Sequence, residues 1–240
     1  MNRTPRTSED VAELLTGLKA KRGYLLPHHG LMAVALPDLL TAYDATYTAL
    51  TLQDRTLTLY QKEIVWLIIL VSTGEAIATH HIDRLRKGGG GDAEIAAALA
   101  FAAWADGADR HAFVDRCWRP HLDRFDVVGS YRDGLETLRA RHGTMPWIVE
   151  IGMAAAHQCH RRWDWVGEHI TGAYAEGAEE KAIAEGLALA MFPGGVPNFA
   201  DACDVWRELI VSGKVDASAP FRAWAEMTGQ GGFDEASGKS

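Results

Sequence analysis

KEIVWLIILVSTGEAIATHHIDRLRKGGGGDAEIAAAL (62–99) and VEIGMAAAHQCHRRWDWVGEHITGAYAEGAEEKAIAEGL (149–187) follow one grammar. Each has a Glu inside an apolar segment, a His some twenty residues later, a glycine turn, an acidic cap, and then a run of small residues. Laid at an offset of 88, positions 81 to 119 run without a gap onto 169 to 207, with matches including His81/His169, Ile82/Ile170, Gly89/Gly177, Trp118/Trp206 and Arg119/Arg207. Alanine richness supplies some matches by chance, but not paired His-Ile and Trp-Arg. The expectation is an internal duplication, in which a His kept in both copies is the leading site candidate.

Outward from these stretches the pattern is helical throughout. Ala, Leu and Glu dominate and period-two alternation of β-branched residues is scarce, so the chain reads as all-α. Helices are predicted over 8–22 with Ser8 as N-cap, 36–51, 58–87 as one long or two abutting helices, and 92–105 capped by Asp92. Two more lie in 108–145 on either side of a break near Pro120. The second copy reads as helices 146–176, 179–191 and 200–212. The loop reading covers His28-His29, Gly88–Gly91 and the tail from Gly213, which looks poorly ordered. The resulting division is an N-terminal helix or tail 1–22, a first unit 23–119, a connecting helix 120–145, a second unit 146–212 and a C-terminal tail 213–240.

Bulk properties exclude several functions. The 240 residues carry a net charge of −8 with scattered Lys and Arg, against nucleic acid as the main partner. The polar start MNRTPRTSED shows no leader, and the apolar run 64–71 is too short to span a bilayer. Three cysteines, Cys117, Cys159 and Cys203, are odd in number and form no close motif, which favours a reducing cytoplasm.

The ordered features of both copies resemble the carboxymuconolactone decarboxylase family, which includes the alkyl hydroperoxide reductase D-like proteins. The resemblance runs over about 23–212 and is strongest at EHITGAYAEGAEEKAIAEGLALAMFPG (168–194). It implies a multihelical fold of that type with an internal duplication, and assembly as a homo-oligomer, a dimer or trimer of two-unit chains. It implies no cofactor, and a cofactor-independent reaction of carboxy-lyase type on a small organic acid or lactone, as in aromatic-compound catabolism. The peroxidase branch carries CxxC with a His four residues on. Here those positions hold Arg162 and Trp165 before His169, and Gly74 and Ile77 before His81, while Cys159 sits three residues too early. Without a dithiol, peroxidase chemistry has no nucleophile. The decarboxylase branch resembles this chain at Arg162, His169 and the Phe192-Pro193-Gly194 turn, and differs at Trp165 and in the extra His80.

The residues themselves suggest a site. On one helix Arg162, Trp165 and His169 share a face: a guanidinium fork for a carboxylate, an apolar plate and a proton carrier. Glu63 and Glu150 lie 18 and 19 residues before His81 and His169 inside apolar helices, where an unpaired carboxylate is costly. Each is expected to meet a His or Arg, or to carry a raised pKa. The expected site is therefore His169, Glu150, His81 and Glu63 for acid–base work, with Arg162, Trp165 and Phe192 at the substrate. Unit two is richer, because unit one has no Arg-Trp wall. A plain alternative makes the histidines structural and the protein a non-catalytic binding or scaffold module. A metal held by His157 and His160 with His169 or Cys159 has no recognised ligand spacing, so no metal is expected. Gly88–Gly91 lacks the features of a phosphate loop.

Overall fold

The computed structural model describes residue 5, residues 7–232 and residues 237–239. Every regular element among them is helical, thirteen of them α-helices. Contacts group the chain into two units, 1–53 and 54–240. Residues 62–99 and 149–187 both fall in the second.

Residues 1–53 hold α1 (Ser8–Arg22), α2 (Pro27–Ala35) and α3 (Pro37–Tyr47), with a π-helical turn at Thr48–Leu52. The N-cap of α1 is Thr7 rather than Ser8. Its hydroxyl accepts from the Asp10 amide at 3.1 Å while the Asp10 carboxylate accepts from Thr7 N–H, a reciprocal cap. His28 and His29 lie in α2, not in a loop, because Pro27 opens a helix there with its φ already set. Met32, Ala33 and Leu40 form the core, covered by Leu15, Leu18 and Tyr43. The Arg22 guanidinium ties α1 to α3 through Asp44 and lies over the rings of Tyr43 and Tyr47.

Residues 54–240 are built around two apolar helices, α4 (Leu59–Thr73) and α8 (Pro146–Cys159). All residues from Lys62 to Leu70 and from Ile148 to Gln158 are buried. A helix apolar all round belongs in a core, and these two pack on each other. Gly152 permits the close approach, since a Cβ there would stand 2.6 Å from Ile68 Cδ1. Around them run α5 (His80–Lys87), α6 (Asp92–Trp118), α7 (Val127–His142), α9 (Trp163–Ala175), α10 (Glu180–Leu189), the single turn α11 (Met191–Gly194) and α12 (Val196–Val211). Gly74, at φ 67°, ends α4, so 58–87 is two helices rather than one. Likewise 146–176 breaks at 160–162, where Arg161 adopts φ 58°. Beyond Gly213 the described residues include a further helix, contrary to expectation. There α13 (Ala219–Ala225) sets Phe221 and Trp224 against Trp206, with ring centroids 5.2 and 5.7 Å away. The tail's polar, glycine-rich end obscured this short aromatic anchor.

One buried ion pair joins α4 to α10. Lys62 Nζ meets Glu185 Oε1 at 3.1 Å, both side chains being almost wholly buried, and Glu185 Oε2 accepts from the amides of Thr56 and Leu57 at 3.0 and 2.9 Å. Breaking one side of such a pair strands the other charge. Glu185→Gln keeps the amide acceptor but removes the charge, so it is expected to cost about 3–5 kcal/mol in urea unfolding. Adding Lys62→Met should recover most of that loss.

His29 supplies a second prediction. Burial, then the charges of His28 and Arg22, lower its pKa to about 4. The unfolded chain takes its proton near pH 6.5 while the folded chain does not. Stability is therefore complete above pH 6.5 and falls on acidification towards pH 4, by up to about 1.4 kcal/mol per pH unit. Amide-exchange protection of α2, corrected for intrinsic rates, should fall over that window in the wild type and stay level in His29→Gln.

Candidate functional site

Each Glu singled out in the sequence meets the His of its own stretch. Glu63 Oε2 accepts from His81 Nδ1 at 2.6 Å, and Glu150 Oε2 from His169 Nδ1 at the same distance. All four side chains are buried. The pairs form because α4 lies along α5 and α8 along α9, bringing a mid-helix Glu to a His of the following helix. Burial alone would push a carboxyl upward. At Glu150 the charges and hydrogen bonds of His169 and Arg132 overcome that burial, and the pKa lies below the usual carboxylate range.

Arginine completes each pair, from different places. In the first, Arg84 Nε donates to Glu63 Oε1 from the same helix as His81. In the second, Arg132 and Arg139 arrive from α7, at 2.7 and 3.1 Å from Glu150 Oε1. Arg132 also donates to Glu168, through Nε to the carboxylate at 2.7 Å and through Nη2 to the carbonyl at 2.6 Å. Position 172, which is 88 beyond Arg84, is a glycine, and a Cβ there would lie 2.6 Å from the Glu150 carboxyl and 2.9 Å from Arg132 Nη2. The missing side chain makes room for the arginine that comes from α7.

The two histidines differ at their other nitrogen. His81 packs against Trp66, ring centroids 4.6 Å apart, and among the described residues its Nε2 makes no hydrogen bond. His169 Nε2 is 2.8 Å from the Tyr131 hydroxyl, which also lies 3.4 Å from His157 Nε2. The Tyr131 ring stands 4.3 Å from that of Trp165, and the His157 ring stacks on His169 at 5.2 Å. Burial, followed by the Glu150 charge, raises the Tyr131 pKa well above its ordinary value. Burial, then the charges of His169 and Arg162, lowers that of His157 well below.

The wall of Arg162, Trp165 and His169 does not form as expected. Arg162 is the non-helical N-cap of α9, so helical spacing does not apply to it. Its guanidinium turns to α6, donating to the Ala105 carbonyl, to Asp106 at 3.3 Å and to Asp109 at 3.0 Å. Trp165 is 8% exposed and, with Glu168, lines a groove of about 1320 Å³ running past Val127, Val128, Val205 and Leu209. Phe192 lies half-buried on α11. His160 Nε2 meets Ser72 and Asp106. Among the described residues no three His, Cys, Asp or Glu side chains are placed to hold a metal ion.

Tyr131, Arg132 and Arg139 escaped the sequence reading. Their signal was present in α7, where the buried residues Val127, Tyr131, Leu135 and Arg139 recur every fourth position. An arginine continuing an apolar stripe needs a buried anion, and Glu150 is that anion.

Residues 37–114 match the model of the carboxymuconolactone decarboxylase family, a span that contains Glu63, His81 and Arg84. Neither the curated proteins nor the solved structures compared yield a match to the chain. No helix among the described residues is long and apolar enough to cross a membrane. The similarity to the carboxymuconolactone decarboxylase family thus covers residues 37–114 of the 240.

Proposed function

We propose that the protein is a cofactor-independent enzyme of the carboxymuconolactone decarboxylase type. Its substrate is a small organic acid or lactone, and its acid–base group is a histidine held by a buried glutamate. The observation that carries this reading is the Glu150–His169 contact at 2.6 Å, with Arg132 keeping the glutamate ionised. An anionic Glu150 fixes the proton of His169 on Nδ1 and stabilises the imidazolium formed when Nε2 gains a proton. Decarboxylation requires a proton for the carbon that loses CO2, and a lactone carbonyl takes the electron pair meanwhile.

The same unit occurs twice, and we read the chain as an internal duplication. Glu63–His81 and Glu150–His169 have one geometry. Ser72 and His160, themselves 88 apart, touch at 2.9 Å, as residues beside a two-fold axis relating the copies would. His81 offers Nε2 directly, whereas His169 offers it through Tyr131. The working form is taken to be a cytoplasmic homo-oligomer. The cysteines give the peroxidase chemistry no support: burial pushes the Cys159 thiol up to about 12 and the Cys203 thiol up to about 11.

One observation favours a non-catalytic binding module instead. His169 is wholly buried with both ring nitrogens engaged, as in a structural histidine. The readings separate on an acidic lactone followed by product analysis. As an enzyme, the wild type releases CO2, and His169→Gln and His81→Gln are each expected to slow it about 100-fold or more while unfolding midpoints hold. A ligand-induced rise in Tm with no product would establish the binding module. Unchanged turnover in both variants would remove the histidines from the mechanism. Alkylation with iodoacetamide at pH 7 should modify the exposed Cys117 and leave turnover intact.

A further inference from the structure

His157 is wholly buried, and among the described residues its Nδ1 has no hydrogen-bond partner. Its other nitrogen begins a continuous line: His157 Nε2 to Tyr131 Oη at 3.4 Å, Tyr131 Oη to His169 Nε2 at 2.8 Å, and His169 Nδ1 to Glu150 Oε2 at 2.6 Å. The ionised Glu150 at one end accepts only, so His169 Nδ1 carries a hydrogen. The rest of the line then has two polarities that differ by one proton.

With His169 neutral, the Tyr131 hydroxyl donates to His169 Nε2, and His157 Nε2–H donates to Tyr131. His157 Nδ1 is then a bare lone pair. With His169 as imidazolium, its Nε2–H donates to Tyr131, and the Tyr131 hydroxyl donates to His157 Nε2. His157 is then neutral with its hydrogen on Nδ1.

We propose that His157 Nδ1 is the ligand-facing end of a proton relay through Tyr131 to the Glu150–His169 pair, serving a small organic acid or lactone admitted past Trp165. This deepens the acid–base reading of Glu150–His169 and rests on it. In the uptake step an acidic O–H or C–H bond of the ligand breaks, and its proton forms a bond to His157 Nδ1. The Nε2 proton of His157 passes to Tyr131 Oη, and the Tyr131 hydroxyl proton passes to His169 Nε2. The ligand keeps the electron pair as an anion, His169 gains one positive charge beside Glu150, and nothing is oxidised or reduced. The reverse run delivers a proton to a carbanion.

The surroundings require the transfers to be concerted. A charged His157 is disfavoured by burial, by the charge of His169 once that ring is protonated, and by Arg162 at the start of α9. A tyrosinate at Tyr131 is disfavoured by burial and by Glu150. Charge therefore comes to rest only on His169, where a carboxylate waits. Trp165 stacks on His157, ring centroids 6.1 Å apart and planes 24° from parallel, and also lines the groove over α7, α9 and α12, so this one side chain touches both.

The relay is tested on the intact, ligand-free protein by following its histidine nitrogens by 15N NMR during a pH titration. As the line takes up one proton, His169 is expected to become the charged ring. His157 should stay neutral while its hydrogen moves from Nε2 to Nδ1, and in Tyr131→Phe that exchange should vanish. A His157 that keeps one tautomer throughout, that itself becomes the imidazolium, or that still exchanges in Tyr131→Phe overturns the proposal. The wild-type titration alone can do so if Tyr131→Phe fails to fold. No substrate enters the measurement. A protein that turns over no lactone but shows the exchange thus loses the enzyme reading and keeps the relay.

Discussion

A carboxylate inside a hydrocarbon core has to be compensated, and the second half of this chain is organised around compensating Glu150. Left alone, the group would take a proton or unfold its surroundings. His169 engages one oxygen, and Arg132 and Arg139 share the other. Each partner comes from a different helix than the Glu: α9 gives the histidine and α7 both arginines. The ion network consequently fixes how three helices lie together, which apolar packing alone would leave adjustable. Arg132 and Arg139 are held in turn by Glu168 and Glu176, so the buried charges are linked to half-exposed ones at the edge of the bundle.

The Glu63 pair solves the same problem more cheaply, with Glu63, His81 and Arg84 on two helices. This leaves the outer nitrogen of His81 without a hydrogen-bonded cover among the described residues, where His169 has Tyr131. One framework thus supports two electrostatic settings: one ends at a histidine, and the other continues through a phenol to a second histidine.

Much of this was legible in the sequence. Residue type and period sufficed for the all-helical class, for the C-terminal end of α1 and for the burial of 64–71, because local propensity and tertiary packing agree there. The Glu–His pairs were legible for a related reason: a lone carboxylate in an apolar helix asks for a partner, and the repeat pointed to the histidines. The arginines of α7 were not, since they lie outside both stretches that carry the Glu–His pairs and reach the site only through tertiary packing. Arg162 was misplaced by a helix end. The chain leaves helical geometry at 160–162, and a spacing argument that crosses that break transfers no direction. The aromatic anchor of α13 was hidden by the polar residues that follow it.

Gly172 and Arg132 impose an order on change. No side chain fits at 172 while the α7 guanidinium is in place, yet Arg84, 88 residues earlier, does the same work for Glu63. Moving between these solutions one residue at a time passes either through two cations crowding one carboxylate or through a buried carboxylate short of a cation. The second arginine of α7, Arg139, offers a way across, because it also touches Glu150. Redundancy in a charge network then has an evolutionary use: it keeps an intermediate sequence foldable while the main partner is replaced.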